Sequence, residues 1–286
     1  MSRLLSAFGS HEAILEAPFP ELEARAGIRS DLAREIRRAA ERPEEAWEIL
    51  EALDSCGAHV LYPDSPELPR PLRSSRDSWH FLTMLGEPRA LDTFPVIGMV
   101  GCRRATPEGL QFAHDLAAEL GRRGVATLSG MAQGIDRASH LGSLSEGAQT
   151  IGALPLGLLR FLHEERRWLH GLEGRREENL ALVSGAPPRQ LWSVSKAMRR
   201  NGWIAAWCDA LVVVEAGDKG GTWKTASSAV RLGKPLWVVT GFDSAEAGVG
   251  NSSLLKTLRG QALNHSEPID SLAERIQSSI VPGESP

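Results

Sequence analysis

The sequence predicts an α/β protein built on a doubly wound, mainly parallel sheet, with a small helical domain ahead of it. Three observations predict this class. Six short apolar runs, at 96–100, 125–129, 150–154, 180–184, 210–215 and 236–240, are separated mostly by stretches of helical length, the alternation that produces parallel strands with crossover helices. Two of the junctions carry glycines where a strand gives way to a helix, at Gly101 and at Gly130 and Gly134. The chain has 286 residues, of which 42% are apolar, enough for one large core and an appendage.

Residues 1–55 read as short helices of helix-hairpin-helix or SAM-like kind. Gly27 and Ser30 mark a turn before a helix over Asp31–Ala40, and Pro43 opens the next. Residues 56–89 read as a connector in which Pro63, Pro66, Pro69 and Pro71 forbid regular structure, with a strand at His59–Tyr62 as the exception. The sheet domain is placed at 90–265, and 266–286 as a helix with a loose tail after Val281.

Within the sheet domain, Val96–Val100 is a continuous apolar run, as expected for a strand covered on both faces. It breaks at Gly101. Thr106 then suits an N-cap with Pro107 at the first helical position, and Leu110, Ala113, Ala117 and Leu120 repeat at helical spacing up to Gly121 or Gly124. The amides of that helix start, with Arg103 and Arg104, favour an anion. The bland alternative is that both arginines are solvated loop charges. The second junction runs from the strand at 125–128 through Ser129, Gly130, Gln133, Gly134 and Asp136 into a helix ending near Gly147. Its glycines let a ligand approach the backbone, and Ser129 and Gln133 offer neutral hydrogen-bonding groups. Asp136 either orients an arginine or a ligand hydroxyl, or biases the start of its own helix. No GxGxxG and no GxxxxGK[ST] pattern is present, which argues against a dinucleotide fingerprint and a phosphate-loop NTPase.

These motifs together resemble the DNA-processing DprA/Smf family. GCRRATPEG is similar to the family's GSRxxTxxG, and SGMAQGIDRASHLGSL to SGxARGIDxxAHxGAL. Arg199–Val239 resembles the RRNRIIAGLSDAVLVVEA and SGSLxTAxxAxxxGRxV segments, Asn251 falls where a late asparagine is expected, and 5–263 is covered in all. The resemblance implies a Rossmann-like sheet domain, no catalytic residues, no cofactor and no metal. It implies single-stranded DNA and the RecA recombinase as partners, a homodimer, and a role in DNA uptake and natural transformation. The site it implies is a rim carrying Gly101, Arg103, Arg104, Ser129, Gly130, Gln133, Gly134, Asp136, Arg199, Arg200, Asn201 and Lys224. Gln133, Gly202 and Cys102 stand where the family has arginine, arginine, and serine or threonine, and Lys224 is a cation the family seldom has there. The family's C-terminal winged helix has no counterpart in these residues.

Charge agrees with a local rather than a global attraction. The formal net charge is −4, yet 160–200 holds nine basic against five acidic residues, while 11–54 holds six against twelve. Screening confines each charge to about 8 to 10 Å at physiological salt. The mixed-sign run at 164–178 reads as a solvated helix. Of the tryptophans in this half, Trp237 and Trp207 read as core. Trp203 and Trp223 lie beside loop motifs, where packing is preferred to base stacking, and Trp192 completes the group. Cys56, Cys102 and Cys208 show no paired or metal-ligand spacing, and no signal pattern or membrane-length apolar run is found, so a cytoplasmic protein without a membrane is expected. Two other functions fit the same crevice. One is a sensor of a nucleotide-derived ligand. The other, a phosphoribohydrolase-like enzyme, needs the acidic residue of PGGxGTxxE, which GDKGGTWKTAS lacks.

Overall fold

The computed structural model describes residues 2–63, 65–68, 72, 81–87, 95–172, 177–242 and 245–280. The chain divides into two compact units, Met1–Gly57 and Ala58–Pro286.

The first unit holds five helices, α1 Ser2–Phe8, α2 His11–Glu16, α3 Phe19–Ala26, α4 Ser30–Glu41 and α5 Pro43–Ser55. Ser10 caps α2 by accepting the Ala13 amide at 3.1 Å. Gly27 ends α3 in the left-handed region at φ 58°, where glycine carries no Cβ penalty. Leu4, Ile14, Leu22 and Ala33 form its small core.

The second unit is a nine-stranded sheet. Its strands are β1 Ala58–Leu61, β2 Leu82–Leu85, β3 Val96–Val100, β4 Ala126–Ser129, β5 Thr150–Leu154, β6 Leu180–Ser184, β7 Ala210–Val213, β8 Leu236–Thr240 and β9 Gln261–Asn264. They lie in the order β1-β2-β6-β5-β4-β3-β7-β8-β9. The pairs from β6 to β9 are all parallel; β1 pairs antiparallel with β2, and β2 with β6. The helices are α6 Pro107–Arg122, α7 Ile135–Ser145, α8 Leu158–Glu164, α9 Arg166–His170, α10 Val194–Trp207, α11 Gly221–Arg231, α12 Ala245–Leu258 and α13 Ile269–Ser278.

Every strand expected from the apolar runs is present. The expected connector is corrected: besides the strand at its start it carries β2, and both strands belong to the sheet. An edge strand, β9, was likewise not expected. The expected tail after Val281 lies outside the described residues.

Burial on both faces explains the uninterrupted apolar runs. Ile97 and Met99 of β3 pack with Phe112, Leu116 and Leu120 of α6 and with Leu272 and Ile276 of α13. Val96 and Val100 point the other way, into the layer holding Trp203 and Trp207 of α10, Ala226 of α11 and Leu254 of α12. Trp237 lies in the core and its Nε1 donates to Ser279 Oγ at 3.1 Å. Trp203 is buried against Gly185, where any side chain would collide with its ring, and Trp223 packs half-buried on the same core.

A polar seam also crosses this interior. His140 of α7 is fully buried, its Nδ1 2.6 Å from Thr150 Oγ1, and its Nε2 has no hydrogen-bond partner among the described residues. Burial first, then repulsion from Arg200 and Arg137, lowers its pKa from 6.5 to about 3. The unfolded chain therefore binds a proton at this residue below about pH 6.5 that the folded chain refuses until about pH 3. Stability from this group is complete above pH 6.5 and falls as pH drops through that window, by at most about 1.4 kcal/mol per pH unit. Urea midpoints of the wild type and His140→Gln across that window check this: the wild type should lose more stability on acidification than the variant.

Candidate ligand cleft at the topological switch point

Strands β4, β5 and β6 extend the sheet to one side of β3, and β7, β8 and β9 to the other. In open α/β sheets a crevice opens at the carboxyl ends of the strands where the order reverses in this way. A cleft of about 610 Å³ lies there. Its walls come from the loop after β3, the start of α7, one face of α10, and the loop after β7 with the start of α11.

The loop after β3 is held by a residue that was not among the expected site residues, although it lies in the VVVEA segment. Glu215, buried just beyond β7, accepts the Thr106 amide at 3.0 Å and the Thr106 hydroxyl. Thr106 Oγ1 in turn accepts the Gly109 amide at 3.0 Å, the expected N-cap of α6. A side chain at Gly109 would meet the Glu215 carboxylate. The loop carrying Arg103 and Arg104 is thus tied to the neighbouring strand across the switch point.

The second junction supplies the floor. Asp136 is buried, and its Oδ2 accepts the amides of Gly130 at 3.1 Å and Ala132 at 3.3 Å. Arg200 is buried as well. Its Nη1 donates to Ala153 O at 3.2 Å, and its Nε has no hydrogen-bond partner among the described residues. Burial raises the Asp136 carboxyl above its ordinary range, opposed mainly by the Arg200 charge. Burial likewise lowers Arg200, opposed by Asp136. Each charge therefore offsets part of the desolvation of the other. Gly130 is required because a Cβ there would strike Arg200 Nη1. Gly134, at φ 84°, leaves no room beside the carbonyl of Cys102.

Of the expected rim residues, Gly101, Arg103, Arg104, Asp136, Arg200 and Asn201 line the cleft. Gly130 and Gly134 shape it without lining it. The other four do not line it. Ser129 is fully buried and its hydroxyl donates to Met99 O. Gln133, Arg199 and Lys224 are exposed and lie outside the lining. Helical phase decides the last two: Ala197, Arg200, Asn201 and Ile204 recur at the spacing of one face of α10, and Gly221, Thr222 and Thr225 share a face of α11. Arg199 and Lys224 fall off those faces.

Two cleft residues were missed as ligand groups. Lys219, in the loop after β7, adds a cation to the lining. Trp192 is 47% exposed at the mouth, with the Arg103 guanidinium carbon 6.0 Å from its ring centroid. Asn201 Nδ2 donates to Gly221 O at 3.3 Å, and Thr222 Oγ1 donates to Gly101 O at 3.3 Å, which joins three walls of the cleft. Among the described residues no group of His, Cys, Asp and Glu is arranged to hold a metal.

The fold and the cleft define a doubly wound α/β protein with a cation-lined pocket at its switch point. The chain belongs to the DNA recombination-mediator protein A family, whose pattern it matches over residues 59–274. It is 32% identical over 243 residues to a DNA processing protein DprA of Mycobacterium tuberculosis, covering 78% of this chain and 58% of that one. Solved structures share the fold. DNA processing protein A of Streptococcus pneumoniae superposes with a TM-score of 0.74 at 20% identity, covering 96% of this chain and 93% of that one. The Helicobacter pylori protein, whose structure concerns its single-stranded DNA binding mode, gives 0.66 at 23% identity over 78% and 97%.

Proposed function

We propose that this chain binds single-stranded DNA in the switch-point cleft, protects incoming strands and hands them to the RecA recombinase during DNA uptake, in the cytoplasm and as a homodimer. The observation that carries the reading is the convergence of Arg103, Arg104, Lys219 and Arg200 on one cleft in a chain of this family. The three cations nearer the mouth set affinity through phosphates, which makes binding salt-dependent and tolerant of sequence. Trp192 offers a flat ring beside them on which an unstacked base can lie, something a duplex does not present.

The role is binding rather than hydrolysis. Thr225 stands where the phosphoribohydrolase motif has its acid, and its hydroxyl donates to Gly221 O at 2.9 Å. Among the described residues no helix is long and apolar enough to cross a membrane.

A second reading, a sensor of a nucleotide-derived ligand, is supported by the cleft volume of about 610 Å³, within the range of small-molecule sites. Titration of a labelled oligonucleotide against its duplex, beside thermal melts with mononucleotides, separates the two. The DNA reading expects the single strand to bind more tightly than the duplex and mononucleotides to leave the melting temperature unchanged. A nucleotide at 100 times its Kd would instead stabilise the fold by about 2.7 kcal/mol.

A further inference from the structure

We propose that Glu215 is a positioning residue for the cleft: its carboxylate takes the anion place at the start of α6 and thereby presets Arg103 and Arg104 for phosphates. The phosphate half of this inference rests on the DNA reading; the clamp on the loop does not.

Glu215 is 2% exposed and does not line the cleft, so it acts through the loop and not on a ligand. It grips that loop at both ends. At the near end its backbone carbonyl lies against Gly101, where an added Cβ would come within 3.0 Å of it. At the far end its Oε2 accepts the Thr106 amide at 3.0 Å, and its Oε1 accepts the Thr106 hydroxyl. Both carboxylate oxygens are thus spent on one residue. The segment between the two grips carries both arginines.

The helix start explains why an acid stands there. Thr106 is the N-cap of α6 and Pro107 its first residue. The carboxylate packs so closely on this turn that Gly109 has no room for a side chain. A negative charge is stabilised at the positive end of a helix dipole. The α6 amides, expected from the sequence to favour an anion, already face this one. Phosphates are left to the side chains of Arg103 and Arg104, which are exposed and line the cleft.

The sign of the effect separates two roles. Near a polyanion, a carboxylate acting only as a charge weakens binding. A carboxylate that holds two arginines in their binding arrangement strengthens it, because affinity falls with the fraction of molecules in which the loop is set.

The test titrates the full chain, Glu215→Gln, Thr106→Ala, Thr106→Ser and Glu108→Gln with a labelled single-stranded oligonucleotide. Tryptic cleavage after Arg103 and Arg104 is timed on the same native proteins without DNA. Glu215→Gln should bind at least about tenfold more weakly, the loss of one hydrogen bond to a charged group, although it removes a negative charge. Glu108→Gln removes an exposed carboxylate from the same helix turn and should bind no more weakly than the wild type. Thr106→Ala should lose affinity as Glu215→Gln does, and Thr106→Ser, which keeps the hydroxyl, should recover it. Cleavage after Arg103 and Arg104 should be at least about tenfold faster in Glu215→Gln and Thr106→Ala, with cleavage elsewhere unchanged. A Glu215→Gln protein that binds as tightly as the wild type, or whose loop is cut no faster, overturns the proposal. If Glu215→Gln is cut throughout, the threonine variants decide: Thr106→Ser no better than Thr106→Ala overturns the clamp. A wild type that binds no oligonucleotide removes the DNA reading instead, and the cleavage rates still decide the clamp.

Discussion

Replacing Arg103 and Arg104 together with alanine should weaken single-stranded oligonucleotide binding by about a hundredfold at low salt. The figure follows from two charge-assisted hydrogen bonds of about 1.5 kcal/mol each and about 1.4 kcal/mol per tenfold in affinity. Both side chains are exposed and line the cleft, while the loop is held by the bonds between Thr106 and Glu215 rather than by the arginines. The folded structure should therefore survive the change. The slope of log K against log salt should become shallower by about 1.4, at about 0.7 for each single-strand phosphate that is no longer neutralised. Fluorescence anisotropy at several salt concentrations reads both quantities. A loss of affinity with an unchanged slope would show that the arginines act through the fold and not on phosphates.

Asp136→Ala should destabilise the sheet unit by about 3 to 5 kcal/mol, the range expected when one member of a buried charge pair is removed. The substitution strips the amides of Gly130 and Ala132 of their acceptor. It also removes the negative charge that offsets the burial of Arg200. Asp136→Asn keeps an acceptor for the amides and loses only the charge, so its cost should be smaller. Urea unfolding of both variants measures the ordering, and equal midpoints for the two would assign the whole effect to charge. This unit stores its binding geometry in the same residues that stabilise it, because Arg200 is at once a cleft wall and a core side chain.

The architecture was legible because a parallel sheet buried on both faces writes itself as apolar runs. Val96–Val100, Thr150–Leu154 and Leu180–Ser184 are buried at every position. The strands that escaped lack that signature. Leu82–Leu85 is four residues long, follows a proline-rich stretch and pairs with Leu182–Ser184, about a hundred positions away. Gln261–Asn264 is an edge strand that buries only Leu263.

The site was legible where its chemistry is local. The turn after β3 and the junction before α7 are contiguous motifs, and Gly101, Arg103, Arg104 and Asp136 follow from them directly. Groups placed by long-range packing did not show. Glu215 reads as the polar end of an apolar run until Thr106 is brought to it across the sheet. Trp192 is one tryptophan among eight until the fold sets Arg103 over its ring. Arg199 and Lys224 were expected at the rim because they sit beside the right residues in sequence; on a helix, adjacent residues face about 100° apart, and Arg200 and Thr225 take the inward positions.

The central claim is that the cleft takes a phosphate backbone, and a salt titration of the unmodified protein with a labelled single-stranded oligonucleotide tests it most directly. Three or four cleft cations neutralising phosphates predict a slope of log K against log salt of about −2 to −3. Binding that ignores salt, or no binding at low salt, would contradict the account.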